Sequence, residues 1–181
     1  MQKEFRRICV YCRAVDCVSP GVVFGVDHYK PKSKFPHETT NYKNLYYCCS
    51  ACNSRKGNHW PMPEFLDTQT IPNPCDHQMF KHLRFRQAKV EDRSECGRFT
   101  KILLDLNDPK AVAFREHVIH MVDILNKQHD ELCSLLNQVE EQEKKEQLSA
   151  SAASKERHAL NADLDKVDNA LAMYYGTTPI P

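Results

Sequence analysis

Cys9 and Cys12, and again Cys49 and Cys52, stand at the Cys-x-x-Cys spacing that lets both thiolates of a pair reach one metal ion. Two such pairs complete a closed four-sulfur shell, which is the pattern of a structural Zn²⁺ with no position left for substrate. Between the pairs lies Asp27-His28, and directly after the second comes Asn53-Ser54-Arg55-Lys56-Gly57. Closing the shell would tie the strand carrying Asp27 and His28 to the helix carrying Asn53. A neutral imidazole at His28 suits a general base near neutral pH. The oxygens of Asp27 and Asn53 are hard ligands that favour Mg²⁺ or Mn²⁺ over zinc. Together these groups suit metal-assisted phosphodiester hydrolysis, which needs an activated water, a cation on the phosphate and groups that hold the backbone in line. Lys30, Lys32, Lys34, Arg55 and Lys56 stand where phosphates could be gripped.

The remaining thiols fit the zinc shell less well. Cys48 would leave three residues before Cys52 and break the symmetry of the pairs, while Cys17, Cys75, Cys96 and Cys133 have no partner at ligand spacing and read as packing or surface thiols. Cys75-Asp76-His77 is a further metal candidate. His37 reads as a surface group rather than a metal ligand, and His59, just past the helix, as a surface group rather than a phosphate contact. Tyr29, Tyr46 and Tyr47 read as packing aromatics rather than stacking platforms for bases.

The elements that must position these groups follow from local patterns. Ser19-Pro20-Gly21 bounds Val22–Val26, a β-branched and aromatic run that reads as a strand ending at Asp27-His28. Residues 29–43, Lys-rich and broken by Pro31 and Pro36, read as a loop. Leu45–Cys48 reads as a second strand. Ser50 then reads as a helix N-cap and Gly57 as the left-handed residue that ends a helix over Ala51–Lys56. On that helix Asn53 and Lys56, three apart, share a face. Farther on, His82–Arg86 alternates as a short strand and Phe99–Leu106 is apolar but ambiguous in type. From Ala111 onward Val118, Val122, Leu125, Leu132, Leu136 and Val139 recur at helical spacing, and Gly and Pro are absent between Ala111 and Tyr175. The Ser149–Ser154 stretch reads as an interruption before a shorter helix.

Composition sets the context. The 181 residues contain an odd nine cysteines, no apolar leader-like N-terminus and no run long enough for a membrane span. A reducing, cytoplasmic setting follows, in which cysteines serve metal rather than disulfides. The formal charge of +1 hides a gradient, with +6 over residues 1–60, zero over 61–120 and −5 over 121–181. The basic segment suits a polyanion, and the acidic one would be repelled by it.

The run Val26-Asp27-His28-Tyr29-Lys30-Pro31-Lys32-Ser33, then Asn44-Leu45, then Cys49-x-x-Cys52-Asn53-x-x-Lys56-Gly57 resembles the HNH endonuclease family in its zinc-containing ββα-metal form. The resemblance implies that His28 is the general base, Asp27 and Asn53 are ligands of the catalytic metal, and Asn44 holds the loop that carries the base. It also implies a single-metal mechanism in which His28 deprotonates water while Mg²⁺ stabilises the departing 3′ oxygen. Asn53 stands where the family name has its final His, and an amide oxygen still ligates Mg²⁺. Asn73-Pro74-Cys75, His82-Leu83-Arg84-Phe85, Thr100–Asn107 and Arg115 are similar to the segment that follows the HNH core in nucleases of Septu-type bacterial anti-phage systems, which work beside an ATPase partner.

The fold expected is α+β: a small zinc-stapled ββα-metal nuclease core at residues 1–62, a mixed extension packed on it at 63–110, and a helical region at 111–181 that binds a partner protein or a second copy. DNA is the expected substrate, with RNA left open. Two other function classes compete: a non-catalytic zinc module that binds nucleic acid or protein, and an assembly subunit acting through its helical tail. Neither accounts for Asp27-His28, Asn44 and Asn53 falling at these positions.

Overall fold

A buried run, Tyr46–Cys49, supplies the inner strand of a hairpin that carries the Asp-His dipeptide. In the computed structural model, which describes residues 1–19, 21–75 and 78–176, β1 (Phe24–His28) pairs antiparallel with β2 (Leu45–Cys49), placing His28 opposite Leu45 and Asp27 opposite Tyr46. β1 thus starts two residues later than the β-branched run suggests. Val22 and Val23 are exposed and precede the ladder, which begins at Phe24 opposite Cys49, so cross-strand pairing and not intrinsic propensity sets its bounds.

The chain passes directly from β2 into α1 (Ser50–Lys56). Ser50 is the first helical residue and Cys49 holds the cap position without a side-chain cap bond, which corrects the expected N-cap. Gly57 ends the helix with a φ of +51° and a ψ of −134°, so the positive φ expected of it is present but its ψ lies outside the left-handed helical basin.

Residues 63–107 add short elements on the same core. These are α2 (Leu66–Gln69), α3 (Gln78–His82), the hairpin of β3 (Leu83–Arg86) with β4 (Lys89–Asp92), and α4 (Glu95–Leu103). The apolar segment of ambiguous type is therefore largely helix, started by Ser94, whose Oγ accepts from the Gly97 amide. Gly97 is needed for packing, because a Cβ there would lie 1.9 Å from the carbonyl oxygen of His82. One apolar core joins these pieces to the zinc pairs: Cys9, Tyr11, Cys48, Cys52, Ile71, Met79, Leu83, Val90, Leu104 and Leu106 are all buried in it.

Two long helices complete the chain, α5 (Pro109–Lys144) and α6 (Ala150–Tyr174). Asp108 caps α5 through Oδ1, which accepts from the amides of Lys110 and Ala111, and Pro109 occupies the first turn, where a missing N–H costs nothing. The Ser/Ala stretch does not interrupt the helix. The break falls just before it, and Ser149 caps α6 by accepting from Ala152. The chain divides into two units, Met1–Ile119 and a second from His120 onward. In the second unit Leu125 of α5 packs with Val167 and Leu171 of α6, flanked by Val122, Leu132, Ala170 and Tyr174. Pairs of His129 with Asp168 and of Glu143 with Arg157 set the helices antiparallel. Within this unit the apolar stripe of α5 is covered in part by α6. No helix among the described residues is long and apolar enough to cross a membrane. The architecture is α+β, a small strand and short-helix region with clustered cysteines followed by long helices.

Candidate zinc and catalytic site

The sulfurs of Cys9, Cys12, Cys49 and Cys52 all lie within 4.8 Å of one another and are buried. A tetrahedral zinc with Zn–S bonds of about 2.3 Å needs sulfurs roughly 3.8 Å apart, and Cys12 and Cys49 stand at 3.6 Å. The four thiols share hydrogen bonds: those from Cys12, then from Cys52 and Cys9, push the Cys49 thiol down, while the same contacts push the thiols of Cys12 and Cys52 up. Cys48 lies outside the cluster, and burial, then the nearby Cys9, pushes its thiol up. Donor type, number and spacing fit a structural zinc. Of the further candidate Cys75-Asp76-His77, only Cys75 is described, and it is exposed; Asp76 and His77 lie outside the described residues.

Asp27 turns inward from β1. Its carboxylate is only 3 % exposed, with Oδ1 accepting from Lys56 Nζ at 2.9 Å and Oδ2 from the Tyr11 hydroxyl at 2.7 Å. Burial and then the Asp27 charge raise the Tyr11 phenol well above its ordinary range, so it stays a donor. An ionised carboxylate offers about four lone-pair positions, and these two bonds leave the others uncommitted.

His28 is half-buried, and its Nε2 lies 3.1 Å from the carbonyl oxygen of Thr39. A carbonyl only accepts, so in the neutral ring Nε2 carries the proton and Nδ1 keeps the lone pair. Asn44 is buried and bridges the loop: Oδ1 accepts from the Lys30 amide at 2.7 Å, and Nδ2 donates to the carbonyls of Lys30 and Glu38, each at 3.1 Å. Those bonds hold the segment that carries Thr39 against the end of β1. Asn53 is half-buried on α1, and its carboxamide makes no hydrogen bond among the described residues. Like the carboxylate of Asp27, it offers a hard oxygen of the type that Mg²⁺ and Mn²⁺ prefer over zinc.

Several phosphate contacts expected from sequence are committed elsewhere. Lys56 cannot reach solvent; its side chain is 1 % exposed and its ammonium also donates to the carbonyl of His28 at 2.8 Å. The physical reason is the buried Asp27 charge, which requires an opposite charge beside it. Arg55 donates to the Leu104 carbonyl at 3.1 Å and pairs with Asp105 and Asp108. Lys30 pairs with Glu38, Lys34 donates to the Trp60 carbonyl, and Lys32 is exposed with no ion pair among the described residues. His59 bonds the Gln69 carbonyl at 2.8 Å and lies on Phe99, whereas His37 is exposed. Tyr46 and Tyr47 are buried in the hairpin and Tyr29 packs edge-on against Tyr46 and Trp60.

Sequence reasoning missed Tyr11 and the internal role of Lys56. The signal available was the face that Lys56 shares with Asn53, which turns it toward β1. Arg115 was singled out only through a resemblance, and its structural role was not foreseen: it is buried and donates to the carbonyls of Ala88 and Leu106, each at 2.6 Å, and of Cys12 at 3.4 Å.

Residues 9–59 match the family model described as HNH endonuclease. Septu protein PtuB of Bacillus thuringiensis is 34 % identical over 101 residues, which cover 55 % of this chain and 36 % of that relative. The chain thus spans little more than a third of the length of the relative it matches. No solved structure matches. The likeness to HNH endonucleases is therefore shown over the ββα segment, with a further likeness to a Septu protein.

Proposed function

We propose that this chain is a divalent-metal-dependent endonuclease that hydrolyses DNA and acts as the nuclease of a Septu-type anti-phage complex. The observation that carries the reading is the state of His28: the bond to the Thr39 carbonyl leaves Nδ1 as the basic nitrogen. Such a ring takes a proton from water at Nδ1 while the carbonyl steadies the imidazolium that results. Asn44 keeps the Thr39 segment in place through its three backbone bonds, and the ring therefore does not swing away from the reacting face.

Asp27 and Asn53 would hold Mg²⁺ or Mn²⁺. Bound there, the cation would supply positive charge to the phosphate and to the departing oxygen. Lys32, which is exposed, approaches the DNA backbone from the basic loop, and Lys30 and Lys34 can join it only by leaving Glu38 and the Trp60 carbonyl. The acidic second unit suits a protein surface, either an ATPase partner or a second copy of the chain. Its −5 charge over residues 121–181 opposes contact with DNA.

A supercoiled-plasmid nicking assay of wild type and His28→Ala, with Mg²⁺, with Mn²⁺ and with EDTA, tests the chemistry. Cleavage that needs the added metal and is lost in His28→Ala is the expected result. Equal cleavage by both proteins would overturn the assignment, and a parallel RNA substrate would reveal a ribonuclease. Metal-independent binding without cleavage would favour a non-catalytic zinc module.

A further inference from the structure

We propose that Tyr11 and Lys56 are positioning residues that clamp Asp27 from opposite sides, and that each half of the zinc shell delivers one of the two donors. The inference rests on the nuclease reading above. Tyr11 sits between the ligands Cys9 and Cys12, is 0 % exposed, and donates to Oδ2 of Asp27 at 2.7 Å. Lys56 lies one turn beyond Cys52 on α1 and donates to Oδ1 at 2.9 Å. The first cysteine pair thus fixes the phenol and the second fixes the ammonium. Closing the shell on one metal ion draws both donors onto the same carboxylate.

The clamp reaches the base as well. Lys56 spends a second of its three N–H donors on the His28 carbonyl, 2.8 Å away. The backbone of His28 is therefore held by α1, while its ring is held by Thr39 from the loop. Neither Tyr11 nor Lys56 has solvent access to touch a phosphate, so their influence on the reaction passes through Asp27 and His28. The zinc in this arrangement sets the orientation of a catalytic carboxylate in addition to holding the fold. Stability alone would be served by a donor from either cysteine pair, whereas two donors leave the carboxylate a single orientation.

Tyr11→Phe in the full chain tests this, because it removes one hydroxyl and leaves the ring packing. Zinc is measured by elemental analysis, Mn²⁺ affinity by electron paramagnetic resonance, and nicking by kcat and KM. The expected outcome is one zinc per chain, a KM for DNA within about twofold of wild type, and a kcat lower by roughly tenfold to a hundredfold, the loss for one hydrogen bond to a charged group. Mn²⁺ affinity should weaken by several fold in the same protein. Lys56→Gln, which keeps a donor and loses the charge, should weaken Mn²⁺ binding further; if it fails to fold, Tyr11→Phe decides alone. A folded, zinc-loaded Tyr11→Phe protein with wild-type kcat and Mn²⁺ affinity overturns the clamp while the nuclease reading stands. If wild type binds Mn²⁺ but cuts nothing, the nuclease reading falls, and the Mn²⁺ affinity of Tyr11→Phe still decides the clamp. A wild type that neither cuts nor binds Mn²⁺ overturns both.

Discussion

The two units of this chain are stabilised by different physics. In the second, from His120 onward, α5 and α6 meet along a repeating apolar stripe, and Leu125, Val167 and Leu171 are interchangeable in kind if not in shape. In the first, elements as short as four residues are fixed by single polar groups with named partners: Lys56 on Asp27, Asn44 on the loop after β1, Arg115 on three carbonyls. A repeat spreads its energy over many contacts and tolerates the loss of one. A set of individual ties gains definition, and each tie becomes a point of failure.

The largest test of that contrast is metal removal. Chelating zinc, or Cys49→Ser, should unfold the ββα segment, since so small a module has little core of its own. Near-ultraviolet signals from Trp60 and the buried tyrosines should collapse while most helical circular dichroism from α5 and α6 persists; simultaneous loss of both signals would show the units to be one cooperative structure. Next in size, His28→Ala should lower cleavage by about 10²–10⁴-fold while zinc content and melting temperature stay at wild-type values, which separates chemistry from scaffold. Gly97→Ala should destabilise the first unit by about 3 kcal/mol, because its Cβ would overlap the His82 carbonyl; denaturant unfolding that matches wild type would show that α4 can move aside. Leu171→Ala in the repeat should cost about 2 kcal/mol, read from the helical unfolding transition with cleavage unchanged. Smallest of all, Lys32→Ala should lessen the salt dependence of DNA binding by about one unit of log–log slope. Lys56→Ala, by contrast, should leave that slope unchanged in whatever fraction folds.

The same contrast governs what could be read from sequence. Cysteine spacing and heptad-like periodicity are regular signals, so the four-sulfur cluster and the long helices were legible from residue types alone. The strand, the loop and the short helix around Asp27-His28 were legible in order and near their bounds. What escaped was commitment. A lysine in a basic motif reads as a phosphate contact until the buried carboxylate facing it is known, and Lys56 and Arg55 were misplaced for that reason. Tyr11 gave no signal, since its role depends on a partner 16 residues away whose orientation only the folded hairpin fixes. The break between α5 and α6 was set late because Ser and Ala read as low complexity, whereas a serine cap followed by alanines is an efficient helix start.

Arg115 carries a consequence for synthesis. It joins Cys12 to a residue 103 positions later in the chain, and it also bonds Ala88 and Leu106. A chain growing from its N-terminus has presented all four cysteines once Cys52 emerges, yet the guanidinium that satisfies the Cys12 carbonyl is made roughly 60 residues later, about 3–12 s at ordinary elongation rates. During that interval a nascent zinc module exists with an incomplete wall. The ribosome-bound cysteine module thereby lacks its Arg115 tie until the first turns of α5 have been translated.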